Sequence, residues 1–143
     1  MRAVWLPALL AWACTGRAPD TAEETDGQDG ACGEVSTWDV EVRGMVVDTE
    51  EVAVHGAAVQ LEDRGWEAGT VLGTATTDDD GLFTLGATGV TSVEGCWGTV
   101  LDYVLVATEG GRTGSKDVNS HLFHAIDGGT LVADISTFPL VIE

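Results

Sequence analysis

Residues 42–85 read VRGMVVDTEEVAVHGAAVQLEDRGWEAGTVLGTATTDDDGLFTL, and their rhythm decides the fold class. Gly56-Ala57-Ala58-Val59-Gln60-Leu61-Glu62 alternates. Ala57, Val59 and Leu61 fall on one face, the period of a half-buried strand. Asp63-Arg64-Gly65 signals a turn, and residues 70–76, TVLGTAT, form the next strand. Asp78-Asp79-Asp80-Gly81 then leads into Leu82-Phe83-Thr84-Leu85, with Leu82 or Phe83 facing the core. Asp-Gly between two β-rich runs predicts a hairpin, because glycine accepts the positive φ of a tight turn.

Outward from this stretch the same period continues. Trp38-Asp-Val40-Glu-Val42 alternates, and Met45-Val46-Val47 carries the strand on to Asp48. Gly44, inside that strand, predicts a bulge or a close backbone contact. After Leu85 the glycine-rich run through Cys96 and Trp97 reads as a loop. Residues 100–108, VLDYVLVAT, are the most apolar strand and are expected at the centre of a sheet. Gly110-Gly111 turns the chain into a short edge strand over 112–118. Residues 122–126 and 131–135 are weaker strands, and 138–142 closes the domain, with Pro139 favouring an edge. About seven short strands at this spacing predict an all-β domain, a single antiparallel β-sandwich.

Composition agrees. The chain has 143 residues, 44% of them hydrophobic, with 19 Gly and three Pro, which suits one turn-rich β-domain. Twenty-four acidic residues against six basic ones leave a net charge of −18. A chain so poor in Lys and Arg does not bind phosphate backbones, so nucleic acid is excluded as a partner. An anionic membrane surface would repel the folded part for the same reason. The acidic surface reads first as solubilising and self-repelling, and second as a surface for divalent cations or basic partners.

Three segments carry a family resemblance: Arg43-Gly44-x-Val46-x-Asp48, Gly56-Ala57-x-Val59-x-Leu61, and Thr77-Asp78-x-Asp80-Gly81-x-Phe83-x-Leu85. Together they resemble the carboxypeptidase regulatory-like domain, a transthyretin-like (prealbumin-like) sandwich. Tyr103-x-Leu105-x-Ala107 sits where such domains place a later core strand, so the resemblance spans residues 40–108. It implies a non-catalytic accessory, structural or adhesion module of an exported protein. It implies no shared active site, and no functional residue is carried over.

The N-terminus fits export. Residues 1–14, MRAVWLPALLAWAC, place Arg2 before an apolar run and a small residue before cysteine, as in a short secretory signal. At about 14 residues the run is too short to span a bilayer, which takes ~20. Leu10-Ala11-Trp12-Ala13-Cys14 resembles the bacterial lipobox, with the bulky Trp12 departing from the usual pattern. That resemblance implies a signal peptide over 1–13, cleavage before Cys14 and lipidation of its thiol. The other reading is an ordinary signal peptide with Cys14 incidental and the product secreted. Residues 15–33 are acidic and lack apolar periodicity, so they read as a disordered tether. The expected organisation is therefore signal 1–13, lipid-anchored acidic linker 14–33, and sandwich domain 34–143. There are three cysteines, an odd count for an exported chain. If Cys14 takes lipid, Cys32 and Cys96 remain as a pair for a disulfide in an oxidising compartment. Closing that loop of about 65 residues is worth up to ~4 kcal/mol in the chain-entropy account.

No catalytic motif stands out. His55, His121 and His124 are the only histidines, and a three-histidine metal site is weighed against plain surface histidines. Some transthyretin-like folds host non-haem iron dioxygenases with two Tyr and two His ligands, whereas this chain has a single tyrosine, Tyr103, in its most apolar strand. Gly-x-Ser-x-Gly, His-Glu-x-x-His and phosphate-loop patterns are missing. Asp78-Asp79-Asp80 reads as turn chemistry before it reads as a calcium site. Trp66, in the polar loop after Asp63, is the tryptophan expected to be exposed and to serve as a ligand contact. Trp38 and Trp97 are expected to pack near Cys32 and Cys96. The sequence thus predicts a cell-envelope protein that is not an enzyme and takes no cofactor. Its expected partner is an unidentified envelope or extracellular protein, and it touches the membrane through its lipid anchor only. The alternative is a carbohydrate- or calcium-binding module at the cell surface.

Overall fold

The structure, a computed structural model, describes residues 35–95, 98–125 and 129–143. Cys14, Cys32, Cys96 and Trp97, with the signal segment and tether, lie outside the described residues. The first four strands are β1 (Val35–Asp48), β2 (Ala58–Asp63), β3 (Val71–Thr76) and β4 (Leu82–Gly95). The next three are β5 (Gly98–Val100), β6 (Asp102–Glu109) and β7 (Arg112–Asn119). A 3₁₀ turn (Ser120–Leu122) precedes β8 (Phe123–Ala125), β9 (Thr130–Asp134) and β10 (Leu140–Ile142). One sheet runs β5-β4-β1-β9-β8, with β10 also on β1, and the other runs β3-β2-β6-β7. This is the all-β sandwich that the alternation predicts. No helix among the described residues is long and apolar enough to cross a membrane.

The core follows the period of two. Val40, Val42 and Val46 of β1, with Phe83 and Leu85 of β4, point inward from one sheet. Val59 and Leu61 of β2, with Tyr103, Leu105 and Ala107 of β6, meet them from the other. Each fully buried Val or Leu contributes roughly 1.5–3 kcal/mol over an exposed one. Phe83, not Leu82, takes the inward position, since Leu82 is 42% exposed. Gly44 interrupts nothing: β1 runs through it, and the ring of Phe83 fills the space where a Cβ would stand. The irregularity in β1–β4 pairing falls instead between Trp38 and Val40. Across it the inward phase of β4 changes from Phe83, Leu85 and Ala87 to Val90 and Ser92.

Three expectations change. Residues 78–81 form the predicted turn but not a hairpin. β3 pairs with β2 and β4 with β1, so the turn carries the chain from one sheet to the other. Turn chemistry specifies a reversal, whereas the partner of each strand is chosen by distant residues. Second, the glycine-rich stretch after Leu85 is strand, with β4 continuing to Gly95. Its pairing partners in residues 35–38 hold it extended despite the glycines. Third, the first sheet is mixed. β9 lies parallel to β1 along Asp39–Arg43 and β10 parallel along Val46–Asp48, taking successive halves of one edge. Pro139 falls just before β10, where no ladder donor is needed. β6 is interior to its sheet and β7 is an edge, as expected.

Candidate functional site

Four aspartates organise the loops, each accepting from backbone amides two or more residues on. Asp48 Oδ1 accepts from the amides of Glu50 and Val52, at 2.9 and 3.0 Å. Asp78 Oδ1 accepts from those of Asp80 and Leu82, both at 2.9 Å. Asp134 Oδ1 accepts from the Ser136 amide at 3.0 Å and its hydroxyl at 2.6 Å. These Ser136 bonds hold the Asp134 carboxyl below the usual carboxylate range. The first residue of the acidic run 78–80 is therefore a turn device. The exposed Asp79 beside it faces His55, Nδ1 to Oδ1 at 3.1 Å, in a solvent-screened contact.

Asp63 does the same work from inside. It continues the inward phase of Val59 and Leu61 and is 3% exposed. Its Oδ1 accepts from the Gly65 amide and its Oδ2 from the Glu67 amide, both at 2.7 Å. The Gly69 amide donates to the Asp63 carbonyl at 2.7 Å, and the Arg64 amide to the Asp102 carbonyl at 2.9 Å. Arg64 also reaches across to the carboxylates of Asp117 and Asp102. The β2–β3 loop is thus tied down at both ends, and it presents Trp66 at 50% exposure.

Behind this loop the sheets part to leave a cleft of about 140 Å³, lined by Asp63, Trp66, Ser92, Val100, Asp102 and Tyr103 among others. Trp66 and Val100, each at least half exposed, stand at its mouth, and Asp63, Ser92 and Tyr103 are buried. The Tyr103 ring is set edge-on to Phe123, with centroids 5.9 Å apart and planes at 89°. Its hydroxyl is buried and has no hydrogen-bond partner among the described residues. Burial first, and the Asp63 carboxylate second, push its ionisation well above the ordinary tyrosine value, so the phenol stays neutral. A second, larger concavity of about 360 Å³ on the outer face of the β3-β2-β6-β7 sheet is lined by Ala58, Gln60, Thr74, Thr76 and Thr108 among others, none of them charged or aromatic.

The structure brings some predicted residues to this site and not others. Trp66 is half exposed and lines the cleft. Trp38 is half-buried and donates to Ser36 Oγ at 2.9 Å. Its expected neighbours Cys32 and Cys96 lie outside the described residues. His121 sits in the 3₁₀ turn and His124 in β8, both exposed. Among the described residues no three His, Cys, Asp or Glu side chains are placed to hold a metal. In the sequence Asp63 falls in a turn signal and Ser92 in the glycine-rich run read as a loop. For Asp63 the signal was present, since its odd-numbered phase after Val59 and Leu61 points it inward.

No protein-family model matches the chain, and no curated protein matches it. Among solved structures it is similar to 3-chlorocatechol 1,2-dioxygenase from Rhodococcus opacus 1CP, with TM-score 0.50 and 11% identity over 76% of this chain and 61% of that one. It is also similar to chlorocatechol 1,2-dioxygenase from Pseudomonas putida, with TM-score 0.47 and 12% identity over 75% of this chain and 61% of that one. The chain therefore spans less than two thirds of the length of either enzyme. At such identities the likeness is one of sandwich fold alone.

Proposed function

We propose that the chain is a non-catalytic envelope protein, anchored through Cys14, whose acidic tether over residues 14–33 displays a β-sandwich as a structural or protein-binding module. The observation that carries a binding role is Trp66, an exposed aromatic on a loop already fixed by Asp63. A loop backbone held in place before contact loses little freedom on binding, which favours an anchor residue on it. Mass spectrometry of the mature N-terminus is expected to find a lipidated Cys14. A free amine starting beyond Cys14, or recovery from the cytosol alone, would overturn the envelope assignment. Cross-linking in intact cells is expected to give adducts that Trp66→Ala loses. Adducts unchanged in that variant would remove Trp66 from the interface.

A second reading, contact with a small ligand, is favoured by the cleft directly beneath Trp66. Calcium is a poorer fit, because the Asp78 carboxylate that would lead such a site already serves the amides of Asp80 and Leu82. Iron of the dioxygenase kind also lacks its ligands here. Tyr103 is the only tyrosine and is buried, so a two-tyrosine ligand set cannot form.

A further inference from the structure

We infer that the Trp66 cleft selects a small alkylated ammonium group, a soluble quaternary ammonium such as tetramethylammonium or choline. This rests on the second reading above, that the cleft holds a small ligand. Four observations point to the chemistry. First, size: about 140 Å³ is the space of one compact group, since a cavity of ~150 Å³ holds a benzene. Second, walls: the face or edge of Trp66, the Val100 side chain and the Tyr103 ring are apolar surfaces, and an indole attracts a cation placed over its face. Third, charge: Asp63 and Asp102 both line the cleft, and among the described residues no Lys or Arg does. Arg64, the nearby cation, is held on the Asp102 and Asp117 carboxylates, so the two aspartates lining the cleft and Asp117 together outweigh it. The chain as a whole adds a net charge of −18, which concentrates cations at its surface and repels anions.

The fourth observation separates an alkylated ammonium from a bare one. Both Asp63 oxygens are already engaged by the amides of Gly65 and Glu67. The cleft therefore offers a negative field and an aromatic wall, with the Asp102 carboxylate as its one free charged acceptor against the three donors of a primary ammonium. A quaternary nitrogen needs no acceptor and gives up little hydration on entry. A primary ammonium would leave donors unserved, at a cost that the field would not offset. The half-exposed Asp102 carboxylate, whose nearest cation is Arg64 Nε at 3.7 Å, supplies the accessible uncommitted charge in the cleft wall. Its oxygen lone pairs suit the partial positive charge carried by N-methyl groups.

The test is calorimetry of the full chain with three probes: tetramethylammonium, neopentyl alcohol as a neutral compound of nearly the same bulk, and the larger, neutral methyl glucoside. Tetramethylammonium is expected to bind, with affinity falling as sodium chloride is raised. Trp66→Ala is expected to weaken it about tenfold, Trp66→Phe less, and Asp102→Asn several-fold. Circular dichroism of each variant checks that the sandwich is intact. If the alcohol or the glucoside binds as tightly as tetramethylammonium, the inferred charge selection is wrong while the cleft remains a ligand site. If none of the three binds at millimolar concentration, both the inference and the small-ligand reading fall. Binding that is indifferent to Trp66→Ala would likewise overturn the assignment.

Discussion

At one end of the sandwich Asp48 and Asp78 each accept two backbone amides, and buried Thr77 hydrogen-bonds in both directions beneath them. Thr77 Oγ1 accepts from the Ala57 amide at 2.8 Å and donates to the Val54 carbonyl at 2.6 Å. The Val46 amide donates to the Gly81 carbonyl at 2.8 Å, which seats the inter-sheet turn on β1. At the opposite end Asp63 accepts two amides in the same way, yet the space behind it stays open and the Tyr103 hydroxyl there has no partner. The same residue type thus seals one end and frames a cleft at the other. The difference lies in what fills the buried layer behind the turn. A threonine that satisfies both neighbours closes it. A tyrosine whose hydroxyl finds no partner among the described residues does not. Both ends carry satisfied turn hydrogen bonds, and the open cleft and the unmet tyrosine hydroxyl lie at the Asp63 end.

Substitutions at the closed end should cost the most. Gly81 has φ +73, and a Cβ there would stand 2.7 Å from the Val46 carbonyl oxygen. Gly81→Ala should therefore cost about 3 kcal/mol from left-handed strain and the clash combined. A urea midpoint within error of the parent would show that the turn is not seated as described. Thr77→Val keeps the shape but strands the Ala57 amide and the Val54 carbonyl, at roughly 2 kcal/mol. A cost near zero in chemical denaturation would mean that the closed end is open to water.

The open end should respond with the opposite sign. Tyr103→Phe removes a buried hydroxyl that has no partner among the described residues, so it should be neutral or stabilise by up to ~1 kcal/mol. It should also change the alkaline limb. The folded tyrosine ionises above its unfolded value, so its contribution is complete below pH ~10. It is then lost as pH rises through the higher folded value, because the unfolded chain gives up the proton first. Thermal unfolding above pH ~10 should show the parent losing stability that the phenylalanine variant keeps. Parallel curves would mean the phenol is solvated. The smallest effect belongs to Trp66→Ala, which should change stability by no more than ~0.5 kcal/mol. A larger loss on heating would make Trp66 a packing residue and blur the contrast between the two ends.

Much of this was legible in residues 42–85. Alternation at Ala57, Val59 and Leu61 placed the inward face of β2 and its loops correctly, because burial of one face imposes a period of two on any strand. Trp66 was legible as exposed because it lies among polar residues after a turn signal. The cleft was not, because it is made where Asp63, Ser92 and Asp102, from three separate strands or strand ends, converge. The change of inward phase between Ala87 and Val90 that turns Ser92 inward has no signature apart from pairing with β1.

What the sequence by itself determined is the set of local instructions: strands with one apolar face, aspartates before turns, and a net charge of −18. These depend on residues a few positions apart, so they are written in order along the chain. What only the tertiary structure decided is which strand lies beside which. The Asp78 turn crosses between sheets instead of closing a hairpin, and β9 and β10 run parallel to β1 on one edge. Those choices are set by the simultaneous burial of side chains far apart in sequence. That same long-range packing leaves the Asp63 end open.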